Sequence, residues 1–432
     1  MDENDSTWTS NIKRGVAAAF ELSWEELNEP AQQLGCLLSL FALAPIPWSL
    51  VKSAASEQDR EALEKARLKL EKLHLLQRED TYRLHQQGED TYQLHQLIRK
   101  FLRDKQENLA VADEQKKNYC TAIVEVAKEI AHTPILQKIT TLTPIVPHLT
   151  SATDYKSCLR NEDLILPFVG LARYYQGQGL YAQALPWREQ CLSVARERLG
   201  EEHPDVANSY NNLAILYTCQ GRYDDAEQQY IKALELRQRL LKEEDLDVAT
   251  IYNNLAFLHH SQGRYNDAER LYQQALELRQ RLLGEEHPDV ATIYNNLAAL
   301  YDSQGRYSQA EPLYKKALEL RQRLLGEENL DVATSYNNLA ALYDSQGRYS
   351  QAEPLYIKAL KLTQRLLREE HPAVATIYNN LAAVYDSQGK YTEAERLYKK
   401  ALEIASKSLG VDHPSIASIR ANLKSLRDKP PG

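Results

Sequence analysis

Residues 294–328 read YNNLAALYDSQGRYSQAEPLYKKALELRQRLLGEE, and residues 336–370 read YNNLAALYDSQGRYSQAEPLYIKALKLTQRLLREE. The two stretches begin 42 residues apart and differ at only four of 35 positions. Self-similarity at a fixed period of this length is typical of stacked repeat proteins, so the repeat decides the fold. The same step separates the tyrosines of five Tyr-Asn-Asn-Leu-Ala motifs, which are Tyr210, Tyr252, Tyr294, Tyr336 and Tyr378.

Each copy carries the apolar pattern of two helices. Tyr294, Leu297, Ala298 and Tyr301 lie at i, i+3, i+4 and i+7, which predicts one apolar face of a first helix. Gly305 then ends this helix, because glycine adopts a left-handed backbone at low cost. A second helix follows, and its alanines and tyrosines also recur. One unit cannot bury such a face alone, so we expect the copies to stack into a superhelix.

These motifs, Tyr-x-Asn-Leu-Ala, Gly-x-Tyr and Ala-Leu, resemble the tetratricopeptide repeat. The usual period is about 34 residues, and 42 residues with Gly-Glu-Glu-His-Pro-Asp-Val between units resembles the kinesin light chain type. The resemblance implies an all-α fold, a right-handed superhelical array of about six helix-turn-helix repeats with a C-terminal capping helix. We assign the array to residues 166–427, a helical connector with a degenerate repeat to residues 106–165, and a separate small domain to residues 1–105.

The resemblance also implies a binding groove, because family geometry places the first helix of each unit on the concave face. A carboxamide offers both donors and acceptors, so a row of asparagines could hold the backbone of an extended peptide. The alternative is that one asparagine of each Asn-Asn pair, above all the second, hydrogen-bonds the neighbouring helix. The expected groove residues are Asn211, Asn253, Asn295, Asn337, Asn379, Thr250, Thr292, Thr334, Asp302, Asp344 and Asp386.

The charge of this groove predicts the charge of its ligand. Relatives that bind chaperone tails grip a terminal carboxylate with lysine and arginine. Asp302, Asp344 and Asp386 stand at the matching positions here. Like charges repel, so we expect a protein or peptide ligand of neutral or basic character, and acidic cargo peptides are disfavoured.

Residues 1–165 lack the repeat and have a different pattern. An apolar helix is predicted from Leu34 to Ala44. Further on, EDTYRLHQQG at Glu79–Gly88 and EDTYQLHQLI at Glu89–Ile98 form a tandem near-duplication whose alternating character predicts two short paired strands. Helices followed by a small hairpin suggest a winged-helix shape.

The segments FELSWEEL at Phe20–Leu27 and LHQLIRKF at Leu94–Phe101 resemble the winged-helix module of NB-ARC (STAND) signalling ATPases, over residues 15–105. The resemblance implies that His95 contacts a phosphate of a bound nucleotide. The alternative is an ordinary histidine beside the hairpin. The sequence has no GxxxxGK[ST] phosphate-binding loop, so nucleotide-dependent switching would need a nucleotide-binding domain supplied in trans.

Composition excludes several classes of function. The 432 residues carry 52 basic and 60 acidic side chains, a net charge of −8 that argues against nucleic-acid binding. Five cysteines without a CxxC pair indicate reduced thiols in a cytoplasmic protein rather than disulfides or zinc. Pro45 and Pro47 interrupt the most apolar run, so no membrane span is expected. Histidines recur at one loop position with the repeat itself, and no spacing indicates a catalytic set, a metal site or a cofactor.

Together these features predict a non-catalytic cytoplasmic scaffold for protein–protein interaction, within a signal-transduction ATPase system. Two alternatives stay open. One is the arm-plus-sensor portion of a nucleotide-dependent NB-ARC switch, and the other is a kinesin-light-chain-like cargo adaptor, which would normally need heptad repeats that this sequence does not show.

Overall fold

Helix follows helix through most of the chain, which confirms the all-α prediction. The computed structural model describes residues 18–55, 60–79, 90–131, 136–240, 245–408 and 414–428, together with Gly15. The chain divides into two compact units, one formed by Met1–Ala131 with Thr140–Leu171 and the other by His132–Ile139 with Ala172–Gly432. The predicted division at residues 105 and 165 stays a prediction.

The first unit combines short helices with a small sheet. Residues 18–25 are helical. The named elements up to the array are α1 (Glu29–Ser39), β1 (Ile46–Pro47), α2 (Trp48–Ala54), α3 (Arg60–Lys72), β2 (Gln77–Glu79), β3 (Thr91–Gln93), α4 (Gln96–Gln106), α5 (Ala112–Lys128), α6 (Leu136–Leu142) and α7 (Val146–Ala152). A 3₁₀ helix at Thr153–Cys158 follows.

The three strands form one antiparallel sheet in the order β1-β3-β2, with Arg78 opposite Tyr92. Tyr92 is fully buried, and its ring packs edge-on against Trp48 with centroids 5.2 Å apart. Its hydroxyl accepts a hydrogen bond from Arg67 of α3 at 2.7 Å, which attaches the sheet to the helices. The predicted strand at Glu79–Gly88 lies largely outside the described residues. The second predicted strand, Glu89–Ile98, is shorter than expected, because α4 begins at Gln96.

The predicted apolar helix Leu34–Ala44 ends earlier than the sequence indicated. Helix α1 stops at Ser39, although Leu40 and Phe41 remain fully buried. The Arg99 side chain of α4 donates from Nε to the carbonyl oxygens of Ser39 and Phe41, at 3.1 and 2.7 Å. These bonds satisfy carbonyl groups that the end of a helix leaves without a partner, so the chain turns before its prolines.

The second unit is built from helices that alternate between a first and a second helix of each repeat. The first helices are α8 (Leu166–Gln176), α10 (Pro204–Cys219), α12 (Leu246–Ser261), α14 (Pro288–Ser303), α16 (Leu330–Ser345) and α18 (Pro372–Ser387). The second helices are α9 (Tyr181–Leu199), α11 (Tyr223–Leu240), α13 (Tyr265–Leu283), α15 (Tyr307–Leu325), α17 (Tyr349–Leu366) and α19 (Tyr391–Ser408). Helix α20 (Pro414–Arg427) ends the series.

Small and large side chains alternate in the core as the repeat predicts. Ala298, Ala310 and Ala317 are fully buried, and Tyr314 is 2% exposed. The turn between the two helices contains Gly305 in the left-handed region, at φ +70°. Alanine allows two helix backbones to approach closely, and tyrosine fills the space that this leaves between turns.

The recurring loop histidines have a structural role at the start of first helices. His203, His287 and His371 each accept a hydrogen bond at Nδ1 from the backbone N–H two residues later, at 3.1 Å. The first N–H groups of a helix have no partner within the helix, so each imidazole acts as an N-cap. This explains why histidine recurs with the loop.

Overpacking should separate the two faces of a first helix. Ala340 is fully buried, whereas its neighbour Ala341 is half-buried. We expect Ala340→Leu to lower the free energy of unfolding by about 1–3 kcal/mol, because the added carbons have no space. Ala341→Leu is the matched control and should change it by less than about 0.5 kcal/mol. Urea unfolding followed by circular dichroism measures both, and equal losses would contradict the assignment of the faces.

Candidate functional site

The paired asparagines form a ladder that connects consecutive first helices. In each step the side-chain amide of the second asparagine of one unit donates to the carboxamide oxygen of the first asparagine of the preceding unit. The five bonds join Asn254 to Asn211 at 3.1 Å, Asn296 to Asn253 at 2.9 Å, Asn338 to Asn295 at 3.2 Å, Asn380 to Asn337 at 3.3 Å, and Asn422 to Asn379 at 3.1 Å.

The ladder also runs within each pair, since the first asparagine donates to the second. Asn253 does so at 3.3 Å and Asn337 at 3.1 Å. Asn295 is only 4% exposed and Asn253 only 9%. The structure therefore brings the predicted asparagines together, but their bonds match the alternative of helix stacking. Peptide binding by Asn211, Asn253, Asn295, Asn337 and Asn379 stays a prediction, and Asn253 and Asn295 offer little surface for it.

Two of the three predicted threonines support buried arginines. Thr250 accepts a hydrogen bond from Arg279 at 2.8 Å, and Thr292 accepts one from Arg321 at 3.0 Å. Both guanidinium groups are buried, and burial lowers their pKa. These arginines escaped the sequence analysis, although a Leu-Arg pair recurring at the 42-residue step was the signal for them.

Thr334 differs from the other two threonines, because Thr363 replaces arginine at the equivalent position of its unit. Its hydroxyl donates to the carbonyl oxygen of Leu330 at 3.0 Å. Together with Asn337 it lines a cavity of about 320 Å³. Thr334 and Asn337 are thus the predicted groove residues that line this open space.

The predicted aspartates form an acidic strip, defined as Asp302, Asp344 and Asp386, near the ends of three first helices. Burial raises the pKa of Asp302 to about 6, and the charge of Asp344 adds to this effect. Burial also raises the pKa of Asp344 to about 6. Among the described residues, no lysine or arginine forms an ion pair with Asp302 or Asp344, and Oδ1 of Asp302 is buried without a hydrogen bond. Two carboxyl groups therefore lie half-buried and uncompensated.

A larger cavity of about 610 Å³, here called the chamber, lies between the early and the late first helices of the array. Its lining includes Tyr181, Cys219, Phe257, His371 and Asn379. The other lining residues are serine, threonine, alanine, tyrosine, proline and isoleucine, so none carries a charged acidic or basic chain. Burial lowers the pKa of His371 to about 4, which keeps it neutral at pH 7. Volumes of about 300–1,000 Å³ are usual for ligand pockets.

Phe257 is the large apolar side chain that faces this chamber while 46% exposed. The equivalent residues of the next three units are Ala299, Ala341 and Ala383. Exposed aromatic side chains in a concave surface are common anchors for partner proteins. The departure of Phe257 from the alanine of its repeat was the sequence signal for this part of the site.

His95 lies at the N-terminus of α4, where its Nδ1 accepts a hydrogen bond from the backbone N–H of Leu97 at 3.3 Å. Its side chain is exposed. This cap accounts for the histidine without a nucleotide, and contact with a phosphate stays a prediction.

Metal and membrane sites were also sought in the described part of the chain. No three of its histidine, cysteine, aspartate and glutamate side chains group in a way that could hold a metal ion. None of the helices found there combines the length and the apolar character that crossing a bilayer requires.

Stacked helix-turn-helix pairs with an alanine–tyrosine core define a helical-repeat protein. The sequence profile of the tetratricopeptide repeat matches residues 163–239, 247–323, 304–365, 331–407 and 374–428. The chain therefore belongs to the tetratricopeptide repeat family. No curated protein matches it significantly.

Several solved structures are similar to this chain. BtubC (BKLC) from P. vanneervenii is 29% identical over 60% of this chain and 94% of that chain, with a TM-score of 0.39. A STAND protein with a tetratricopeptide repeat sensor, PH0952 from Pyrococcus horikoshii, is 17% identical over 94% of this chain and 61% of its own, with a TM-score of 0.47. The putative kinesin light chain repeats from Podosopora anserina are 24% identical over 48% of this chain and 98% of theirs, with a TM-score of 0.37.

The acidic strip should give stability a distinct pH dependence. The pKa of Asp302 and of Asp344 rises from 3.8 to about 6 on folding, so the folded state holds more protons between these pH values. Stability should therefore fall as pH rises from about 4 to about 6 and stay lower above it. Asp302→Asn with Asp344→Asn should remove this slope and raise the melting temperature at pH 7.5.

Scanning calorimetry between pH 4 and 7.5 measures this effect. Asp224→Asn is the control, because Asp224 is an exposed aspartate of α11. A double variant that melts like the wild type at pH 7.5 would show that burial does not disfavour the two charges.

Proposed function

We propose that this protein is a non-catalytic cytoplasmic scaffold whose array binds an extended peptide, or a segment of a partner protein, on the side of the first helices. The observation that carries this proposal is the chamber of about 610 Å³ with the exposed Phe257 in its wall. An exposed phenyl ring costs free energy in water, and a partner that covers it recovers that cost. The tetratricopeptide repeat fold is suited to such a role, because stacking creates a continuous binding surface.

The charges near the site favour a neutral or basic ligand. The chamber is uncharged, and the acidic strip has no compensating lysine or arginine at Asp302 and Asp344. A basic side chain of the ligand would gain from two carboxyl groups that are already partly desolvated. An acidic ligand would be repelled by them.

Peptide binding can be tested with a random peptide library displayed on phage and selected on the full chain. Synthetic versions of the selected peptides are then titrated by calorimetry. We expect Phe257→Ala to weaken binding by about 10-fold or more, because burying such a side chain contributes about 1.5–3 kcal/mol. Leu282→Ala is the matched control, since Leu282 is also exposed but does not line the chamber.

The same titrations examine the asparagines through Asn253→Ala, Asn295→Ala and Asn337→Ala combined. Unchanged affinity in a folded variant would remove these amides from the site and leave the chamber in place. Failure to select any peptide, or equal affinity of the Phe257 and Leu282 variants, would contradict the proposal.

A second candidate function concerns the first unit, which we propose to be a winged-helix-like module of an NB-ARC-type signalling system. What supports it is the sheet β1-β3-β2 beside α1, α3 and α4, with the hairpin β2-β3 directly before His95. The nucleotide-binding domain would then act in trans, and the chain would be the arm and sensor of a switch.

Binding of fluorescently labelled ADP to the chain alone separates the two candidates. The scaffold predicts no binding, because the sequence lacks a phosphate-binding loop. Saturable binding that His95→Ala abolishes would favour the switch. His74→Ala is the control, as His74 is a second histidine of the same unit and lies outside the duplicated segment.

A further inference from the structure

The array makes a contact between two parts of its sequence that lie far apart. Nη1 of Arg368, in the loop before α18, donates a hydrogen bond to Oε1 of Gln178 at 3.1 Å, across 190 residues of sequence. Next to it, Gly179 lies directly against the ring of Pro372. A Cβ atom on Gly179 would be only 2.3 Å from Cδ and 2.5 Å from Cγ of Pro372. The turn after α8 and the start of α18 are therefore in van der Waals contact.

This contact is particular to the first turn of the array. Gly263, Gly305, Gly347 and Gly389 occupy the equivalent turns with similar positive φ values, and a Cβ on any of them would meet nothing within 4 Å. Four positions alone distinguish residues 336–370 from residues 294–328, and one of these is Arg368, where the preceding unit has Gly326. The contact thus uses a residue at which two nearly identical units differ.

The same contact joins the two walls of the chamber. Tyr181 follows Gly179 by two residues, and His371 immediately precedes Pro372. Cys219 and Phe257 belong to the early wall, and Asn379 belongs to the late wall. The width of the chamber therefore depends on whether Gly179 and Pro372 touch.

We propose that this contact is a latch that controls access to the chamber, and that the chamber takes an uncharged segment of a partner chain with a large apolar side chain against Phe257. The proposal rests on the proposed function and adds the ligand class and its control. The latch consists of one hydrogen bond and one backbone-to-ring contact, whereas neighbouring repeats share a continuous alanine–tyrosine core. It can therefore open while the repeats remain stacked.

Gly179→Ala tests the latch in the full chain, because the new Cβ cannot coexist with Pro372 in the closed position. Gly305→Ala is a matched control with a similar positive φ and a similar local strain, but with open space around it. Gly179→Ala combined with Pro372→Ala removes Cγ and Cδ, the two atoms that the added methyl meets, and should restore closure. Arg368→Gly removes the hydrogen bond and should act like Gly179→Ala.

One readout needs no ligand. Cys219 lines the chamber, is hydrogen-bonded to Tyr181, and has a pKa that burial raises to about 11. Iodoacetamide must enter the chamber to reach it, and peptide mapping by mass spectrometry follows this thiol separately from the other four. We expect several-fold faster alkylation of Cys219 in Gly179→Ala than in Gly305→Ala, with the wild-type rate restored in the double variant.

The second readout is the association rate of a peptide selected on the wild type. An uncharged version should associate several-fold faster with Gly179→Ala, since no fraction of this variant is held closed. A version with glutamate in place of its large apolar residue should not bind.

The outcomes separate this proposal from the proposed function. Equal Cys219 rates in the Gly179 and Gly305 variants would overturn the latch, even if Phe257→Ala still weakens peptide binding. Binding of the glutamate version as tightly as the uncharged one would overturn the ligand class. Faster alkylation without any peptide that can be selected would keep the latch as a conformational contact and refute the binding role of the chamber.

Discussion

The packing of tyrosine against alanine between successive helices is the interaction on which the rest of the structure depends. Tyr272, Tyr314 and Tyr356 are almost fully buried, and each lies in a core whose neighbouring alanines are without exposure. A helix pair with such a surface has no stable free form in water, so each unit requires the next one. Because the interface repeats every 42 residues, every first helix is placed in the same relation to its neighbours.

Polar side chains add direction to this apolar packing. The asparagine ladder hydrogen-bonds each first helix to the next, and buried arginines such as Arg321 bond to Thr292 and Ser335 in adjacent units. A buried carboxamide or guanidinium without partners would be costly, so a shift of one helix by a turn would lose several bonds at once. The apolar core thus gives cohesion, while the polar groups fix the register between units.

The sequence predicted the repeat well because its period and its small and large residues report on helix contacts directly. Ala298, Ala310 and Tyr314 have the burial that their spacing indicated. The end of α1 was predicted five residues too late, since Arg99, sixty residues away in sequence, binds the carbonyl of Ser39. A local pattern carries no information about such a distant partner.

The candidate site was harder to predict for a similar reason. The groove residues were carried over from family geometry unit by unit, which treats all units as equal. The structure distinguishes them. Asn295 is covered by its neighbours, whereas Asn337 lines a cavity and Phe257 replaces an alanine in the wall of the chamber. The chamber depends on residues from distant units that meet in space, as Tyr181 and His371 do, and a single period cannot reveal which units meet.

The meeting of Gly179 with Pro372 has a consequence for the length of the protein. Residues 294–328 and 336–370 are so alike that gain or loss of one whole copy would leave every local interface intact. Such a change would nevertheless bring a different loop opposite Gly179, without Arg368 at the distance that its partner Gln178 requires. The number of copies between the two ends is therefore constrained by ring geometry rather than by the stability of the copies, so a chain one copy longer or shorter should fold normally yet lack the enclosed space at its centre.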